Sequence, residues 1–138
     1  MTFDLRDCED LLNLDRNRLQ GTLTPAIGLL SNLKVLFLRD NRFGGTIPTQ
    51  VGKLLNLERL NMQGCALTGS IPSEMGLCKN LIELRLVANN LTSTIPEEIY
   101  HCTKLNSFFL EWNNLSGTIS PNIDQLLHLQ ERKQIYIS

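Results

Sequence analysis

The sequence lacks any apolar run of the roughly 18 residues that a membrane-spanning helix requires. Its formal net charge is only -1, so bulk electrostatics gives no reason to expect nucleic acid or an acidic membrane as partner. The start of the chain lacks the basic residues and apolar stretch of a signal peptide. As written, the sequence predicts a soluble chain without a membrane span, intracellular if complete.

Catalytic and metal-binding motifs are also lacking. The chain has only two histidines, His101 and His128, which stand far apart and are predicted to lie on the surface. No phosphate-binding loop, Gly-x-Ser-x-Gly or paired-histidine motif occurs, and the four cysteines show no C-x-x-C spacing. The sequence therefore predicts no enzyme activity, no catalytic residues, no metal site and no cofactor.

What is present is a regular period of 24, without insertion or deletion over 9–128. A fixed period of this length indicates a solenoid, in which each repeat packs only on its neighbours. Four columns define it: Leu12, Leu36, Leu60, Leu84 and Phe108; Leu14, Leu38, Met62, Leu86 and Leu110; Asn17, Asn41, Cys65, Asn89 and Asn113; Leu23, Ile47, Ile71, Ile95 and Ile119.

The period divides the chain into three parts. We predict a degenerate lead-in at 1–8 and five repeats over 9–128, with a degenerate cap or the stub of a longer array at 129–138. The repeats run 9–32, 33–56, 57–80, 81–104 and 105–128. Ser120 and Pro121 resemble a helix start and suggest a short amphipathic lid at the end of the array.

Each repeat predicts one strand followed by a turn. Leu36 and Leu38 alternate with exposed positions, as in a half-buried strand. The Asn41 amide can satisfy backbone groups at the bend, and Ile47 is held extended because it precedes Pro48. We therefore expect a five-stranded parallel sheet on the inner side and extended or turn-like segments outside. The fold class is an α/β-type repeat solenoid, mostly β and irregular.

Two cysteines follow the period. Cys78 and Cys102 occupy equivalent positions of adjacent repeats, in the column of Leu30, Leu54 and Leu126. They are predicted to be buried free thiols, although strands in adjacent repeats are close enough for a disulfide.

The frame Leu-x-x-Leu-x-Leu-x-x-Asn-x-Leu-x-Gly-x-Ile-Pro resembles the plant-type leucine-rich repeat over about nine-tenths of the chain. The resemblance implies a curved right-handed solenoid with a second short sheet near the Gly-x-Ile-Pro segment. It also implies a recognition surface, as in ectodomains of receptor-like kinases, receptor-like proteins and polygalacturonase-inhibiting proteins. Secreted members usually have an N-terminal cap with paired cysteines and a tryptophan, whereas only Cys8 precedes the first repeat here. If the chain is a fragment of such a receptor, its location is extracellular.

The candidate site lies on the strand positions that the repeat leaves free. Large aromatics and arginines at solvent-facing positions are the usual hot spots of protein interfaces. Arginines and carboxylates on successive strands are expected mainly to form cross-strand ion pairs, with an anion site as the alternative. The predicted partner-binding residues are Phe37, Arg39, Arg59, Arg85, Phe109, Glu111 and Trp112.

Three functions fit these patterns. The first is a monomeric module that binds a protein or peptide on its concave face, and the second is an inhibitor of a cell-wall-degrading hydrolase. The third is ice binding by an exposed hydroxyl column, Thr22, Thr46, Ser70, Thr94 and Thr118. In addition, Asn90 and Asn114 begin glycosylation sequons at equivalent positions, which would be modified only in a secreted chain.

Overall fold

The computed structural model describes residues 10–129, which form the predicted solenoid of stacked repeats. The predicted lead-in, Cys8 and the segment 130–138 lie outside the described residues. Each repeat contributes one inner strand and one short outer helix, so neighbouring repeats contact each other through equivalent elements. The solenoid predicted from the period is confirmed.

A five-stranded parallel sheet forms the inner side, as predicted. Adjacent strands pair in the register of the sequence period, so Leu36 lies beside Leu12 and Leu60. The strand order in this sheet is β1-β2-β3-β5-β7. All strands of the described chain, including two outside this sheet, are β1 Leu11–Asn13, β2 Val35–Phe37, β3 Arg59–Asn61, β4 Thr68–Gly69, β5 Glu83–Arg85, β6 Asn90–Leu91 and β7 Ser107–Phe109.

A second, two-stranded sheet follows the turn after the inner strand. Its strands β4 and β6 are parallel and join the third and fourth repeats. Isolated bridges, Gln20 to Arg42 and Thr46 to Thr68, extend the same pairing toward the first repeat. The second sheet implied by the family resemblance is therefore present.

The outer side takes the turn-like form, one of the two forms expected. Pro48 is extended, with φ -70° and ψ 140°, but a 3-10 helix follows instead of more extended chain. These helices stack closely, since a Cβ on Gly76 would collide with the backbone oxygen of Glu98. The helices are Pro25–Leu29, Thr49–Lys53, Ser73–Leu77, Glu97–His101 and Pro121–Gln125.

The helix start predicted at Ser120 and Pro121 is present, whereas most of the tail assigned to the predicted lid lies outside the described residues. The Ser120 hydroxyl does cap a helix, accepting a hydrogen bond of 3.2 Å from the Asn122 amide. That helix is the ordinary outer helix of the fifth repeat, equivalent to Glu97–His101. The cap signal is correct, but the sequence period already assigns this segment to the repeat.

An asparagine ladder binds successive turns together. Asn89 donates from Nδ2 to the carbonyl oxygens of Met62 and Leu86, each at 2.9 Å. Its Oδ1 accepts from the backbone amides of Cys65 at 3.1 Å and Leu67 at 3.0 Å. One buried side chain thus satisfies four backbone groups at the bend, which would be costly to leave unpaired.

Cys65 interrupts this ladder. Its thiol donates to the Leu38 carbonyl oxygen at 3.0 Å, but a thiol is a weaker donor and acceptor than the amide it replaces. Burial raises the pKa of Cys65 to about 11 and that of Cys78 to about 12. These two thiols and Cys102 are buried and free in the structure, so at neutral pH they are protonated and behave as small apolar groups.

Candidate recognition face

One column beside the inner sheet has an unusual backbone. The residue before each ladder position has a positive φ, between 54° and 64°. Glycine adopts this left-handed conformation freely, whereas other residues are strained there by roughly 1–2 kcal/mol. The column comprises Arg16, Asp40, Gly64, Ala88 and Trp112.

The first two repeats form an N-terminal patch consisting of Asp15, Arg16, Arg39 and Asp40. The Asp40 carboxylate lies 3.1 Å from Arg39 Nε and 3.6 Å from Arg16 Nε. Asp15 Oδ1 accepts a hydrogen bond of 2.7 Å from the Arg39 backbone amide. Each charged group of this patch thus has an opposite charge or a backbone donor nearby.

The last two repeats form a C-terminal patch consisting of Glu83, Arg85, Phe109, Glu111 and Trp112. The register pairs Arg85 with Phe109 across β5 and β7, and the guanidinium lies 4.3 Å from the ring centroid. Glu83 pairs with the same guanidinium through Arg85 Nε. Arg85 is therefore held by a cation-π contact and an ion pair, and its charge is largely neutralised.

Trp112 is the most exposed large hydrophobic residue of the described chain, at 79%. It is also in the left-handed column, with φ 58°. A bulky residue with positive φ is a genuine outlier, and glycine occupies the equivalent position in the third repeat. The left-handed conformation is common to the whole column, so the feature that singles out Trp112 is its large exposed ring.

Glu111 precedes Trp112 and is partly buried. Its Oε2 atom is buried without a hydrogen-bond partner. A shielded carboxylate oxygen without a donor is destabilising, since its lost hydration is not replaced. The patch therefore contains an acceptor without a partner, one residue before the exposed Trp112.

The structure brings together only some of the predicted site residues. Arg85 and Phe109 are in contact, and Glu111 and Trp112 follow on the same repeat. Phe37 lies half-buried on β2, separated from them by β3, and Arg59 is exposed on β3. Arg39 belongs to the N-terminal patch.

The expected cross-strand ion pairs are found only in part. Arg16 and Asp40 join two repeats, but Arg39 pairs with its neighbour in sequence and Arg85 pairs within its own strand. The sequence placed Glu83 near the arginines but did not predict its pairing with Arg85 within one strand, and it did not predict the left-handed backbone of the column. The Glu83–Arg85 pair could have been found because residues two apart in a strand lie on the same face. The left-handed backbone could have been found because the column contains Gly64, and glycine favours that conformation.

Both sequon asparagines are exposed. Asn90 lies in β6, and the Asn114 backbone amide donates to the Leu91 carbonyl oxygen at 2.8 Å. The two side chains therefore occupy equivalent exposed positions on adjacent repeats. Glycosylation at Asn90 and Asn114 stays a prediction.

The hydroxyl column lies elsewhere, at the second sheet. Its members are all exposed, and the threonine methyl groups pack toward the next repeat: a Cβ on Gly69 would lie 2.9 Å from the Thr46 methyl. Where the column has Ser70, without a methyl, the next repeat has Ser93 in place of glycine. A groove of about 570 Å³ beside this column includes Thr46, Ser70, Ser73, Ser93 and Thr94 in its lining.

No group of three or more residues that could hold a metal ion occurs within residues 10–129. His101 and His128 are both exposed, as predicted.

Sequence comparison identifies the family. The model of the family described as Leucine Rich Repeat matches residues 32–54, 56–78 and 80–102. The chain belongs to the leucine-rich repeat family. No curated protein matches this sequence.

Solved structures support the same assignment. The chain is similar to a plant peptide hormone receptor, RGFR1, in complex with RGF2, with 36% identity and a TM-score of 0.84 over 86% of this chain. It is similar, with the same identity, TM-score and coverage, to the ectodomain of the membrane receptor kinase GASSHO1/SCHENGEN3 from Arabidopsis thaliana in complex with CASPARIAN STRIP INTEGRITY FACTOR 2. It is also similar to a plant ice-binding protein, with 27% identity and a TM-score of 0.80 over 85% of this chain and 38% of that one.

The chain matches only a small part of each of the two receptors. The chain covers 19% of RGFR1 and 14% of GASSHO1/SCHENGEN3. Within residues 10–129, no helix is long and apolar enough to cross a membrane. The chain is therefore a leucine-rich repeat array with the fold seen in plant receptor ectodomains.

Proposed function

We propose that this chain is a non-catalytic recognition module that binds a protein or peptide on the C-terminal patch of its concave face. The observation that carries the proposal is Trp112, which is 79% exposed and strained at φ 58°. Tryptophan is enriched among binding hot spots, and most of this side chain is exposed to solvent. The similar receptor structures contain peptide ligands, which supports a peptide partner and an extracellular location.

The test separates binding from stability. Trp112→Gly should leave the free energy of unfolding unchanged or raise it by up to about 1 kcal/mol, because glycine relieves the left-handed strain. It should weaken binding of peptides selected from a random displayed library by about tenfold or more. The matched control is Ala88→Gly, in the same column at φ 54°, which should keep full binding.

Two measurements check this prediction: chemical denaturation for stability and titration calorimetry for binding. A loss of more than about 1 kcal/mol of stability in Trp112→Gly would show that the indole is a packing residue. Equal binding by both glycine variants would contradict the proposal. Inhibition of a cell-wall-degrading hydrolase is a special case of protein recognition by this face, and a direct assay on pectin hydrolysis tests it.

Ice binding is a second candidate, favoured by the exposed hydroxyl column. The methyl groups of Thr22, Thr46 and Thr94 pack toward glycines of the next repeat, so these threonines form a regular array. The similarity to a plant ice-binding protein supports this candidate. Thermal hysteresis that is lost in a Thr46→Val and Thr94→Val variant is the expected result, and no hysteresis in the unmodified chain removes the candidate.

A further inference from the structure

The chemistry of the C-terminal patch narrows the class of partner. We propose that it takes a lysine or arginine side chain of a peptide, with Glu111 as the acceptor and Trp112 as the ring that covers the cation. This inference rests on the proposed function and adds the chemical class of the ligand.

The first step is charge. The fifth repeat, 105–128, contains Glu111 and Asp124 but neither lysine nor arginine. The nearby cation on the same face, Arg85, is paired with Glu83. The patch therefore attracts a cation and offers little to an anion, whereas the two arginines of the N-terminal patch are balanced by Asp15 and Asp40.

The second step is the unmet acceptor. Glu111 Oε2 is buried without a partner, while Asp15, in the same column of the first repeat, accepts from the Arg39 backbone amide. Because Oε2 is shielded, a guanidinium or ammonium group from outside can donate to it only after the carboxylate, on a partly buried residue, rotates. A charge-assisted hydrogen bond of this kind is about twice as strong as a neutral one.

The third step is the ring. Tryptophan is the best aromatic partner for a cation, and the Trp112 ring is exposed on this face. The chain already contains one example of this geometry, in which Arg85 lies 4.3 Å from the Phe109 ring centroid. Phe109 is thus already occupied by an internal cation, and Trp112 is available to an external one.

The experiment is a selection from a displayed library of random linear peptides on the immobilised chain. The selected peptides should be enriched in lysine and arginine, and synthetic copies should bind Glu111→Gln about tenfold or more weakly, as expected for loss of one charge-assisted hydrogen bond. The matched control Asp124→Asn makes the same charge change on the outer helix Pro121–Gln125 and should leave affinity unchanged.

Each other outcome overturns the inference. If the selected peptides lose affinity for Trp112→Gly but show no basic enrichment and bind Glu111→Gln normally, the inference fails and the concave-face function stands. If no selected peptide distinguishes the unmodified chain from Trp112→Gly, the proposed function fails and the inference fails with it. Thermal melting of both Glu111→Gln and Asp124→Asn confirms that each variant is folded.

Discussion

The two ends of the concave face use the same columns for different purposes. In the N-terminal patch, the left-handed position holds Asp40, which lies near Arg16 and Arg39. In the C-terminal patch, the same position holds Trp112, which is exposed, and its neighbour Glu111 has an oxygen without a partner. The backbone is equivalent, so the difference lies in whether the side chains satisfy one another. A surface whose polar groups are already paired within the chain gains little binding free energy from a partner, whereas a surface with unpaired groups gains more.

The largest effect on peptide binding should come from removing the exposed aromatic residues of the C-terminal patch. The double variant Phe109→Ala with Trp112→Ala should remove detectable peptide binding, a loss of at least about 2 kcal/mol. The control is Phe37→Ala with Asp40→Ala, which removes residues from the same two columns in the second repeat. Titration calorimetry should show normal binding by the control. Equal losses in both variants would mean that the whole face binds.

The fold was largely predictable, because the sequence period sets the register of the strands. Leu36, Leu60 and Leu84 are fully buried on adjacent strands, as their column required. The outer 3-10 helices were not predicted, since so short a segment with weak periodicity does not distinguish a tight helical turn from an extended one.

The site was only partly predictable. The alternation of strand residues placed Arg85 and Phe109 on the same face, but it could not show that they contact each other or that Glu83 holds the guanidinium. The positive φ of Trp112 belongs to a turn, and the only sign of that turn in the sequence is Gly64 at the equivalent position of the third repeat. The missing partner of Glu111 Oε2 is a property of the packed structure and has no signal in the sequence.

The contact between the third and fourth repeats at the second sheet offers a test of stacking. Ser70→Thr adds a methyl group where Ser93 already has a Cβ, in place of the glycine found opposite Thr22, Thr46 and Thr94. Overpacking of this kind should cost about 1–3 kcal/mol of unfolding free energy. Adding Ser93→Gly should restore most of that loss, because it recreates the threonine-glycine pair and relieves φ 69° at position 93.

Urea denaturation of the four proteins in this cycle gives the coupling free energy. Additive effects of the two substitutions would show that the Ser70 and Ser93 side chains do not share the space. The concave patches lie on the inner sheet, away from residues 70 and 93 at the second sheet, so peptide binding should be the same in all four proteins. A change in binding would mean that the patches respond to the spacing of the repeats.

A smaller effect is expected at the gap in the asparagine ladder. Cys65→Asn should raise the free energy of unfolding by about 1 kcal/mol, since an amide can donate to the Leu38 carbonyl oxygen and also accept from backbone amides. The matched variant Asn89→Cys should lower stability, because Asn89 makes those bonds in the fourth repeat. Denaturation midpoints measure both, and a destabilised Cys65→Asn would show that the third repeat cannot hold the larger side chain.

The smallest effect is expected in the N-terminal patch. Asp40→Asn removes the carboxylate that lies near Arg16 and Arg39, whose ion pairs are partly exposed. Exposed pairs contribute roughly 0–1 kcal/mol and are screened by salt, so the stability loss should be small and should shrink further at high ionic strength. Peptide binding should not fall. If Asp40→Asn instead created affinity for acidic peptides, the freed arginines would form a second binding site, and self-satisfaction of the patch would be what keeps this end of the face inactive.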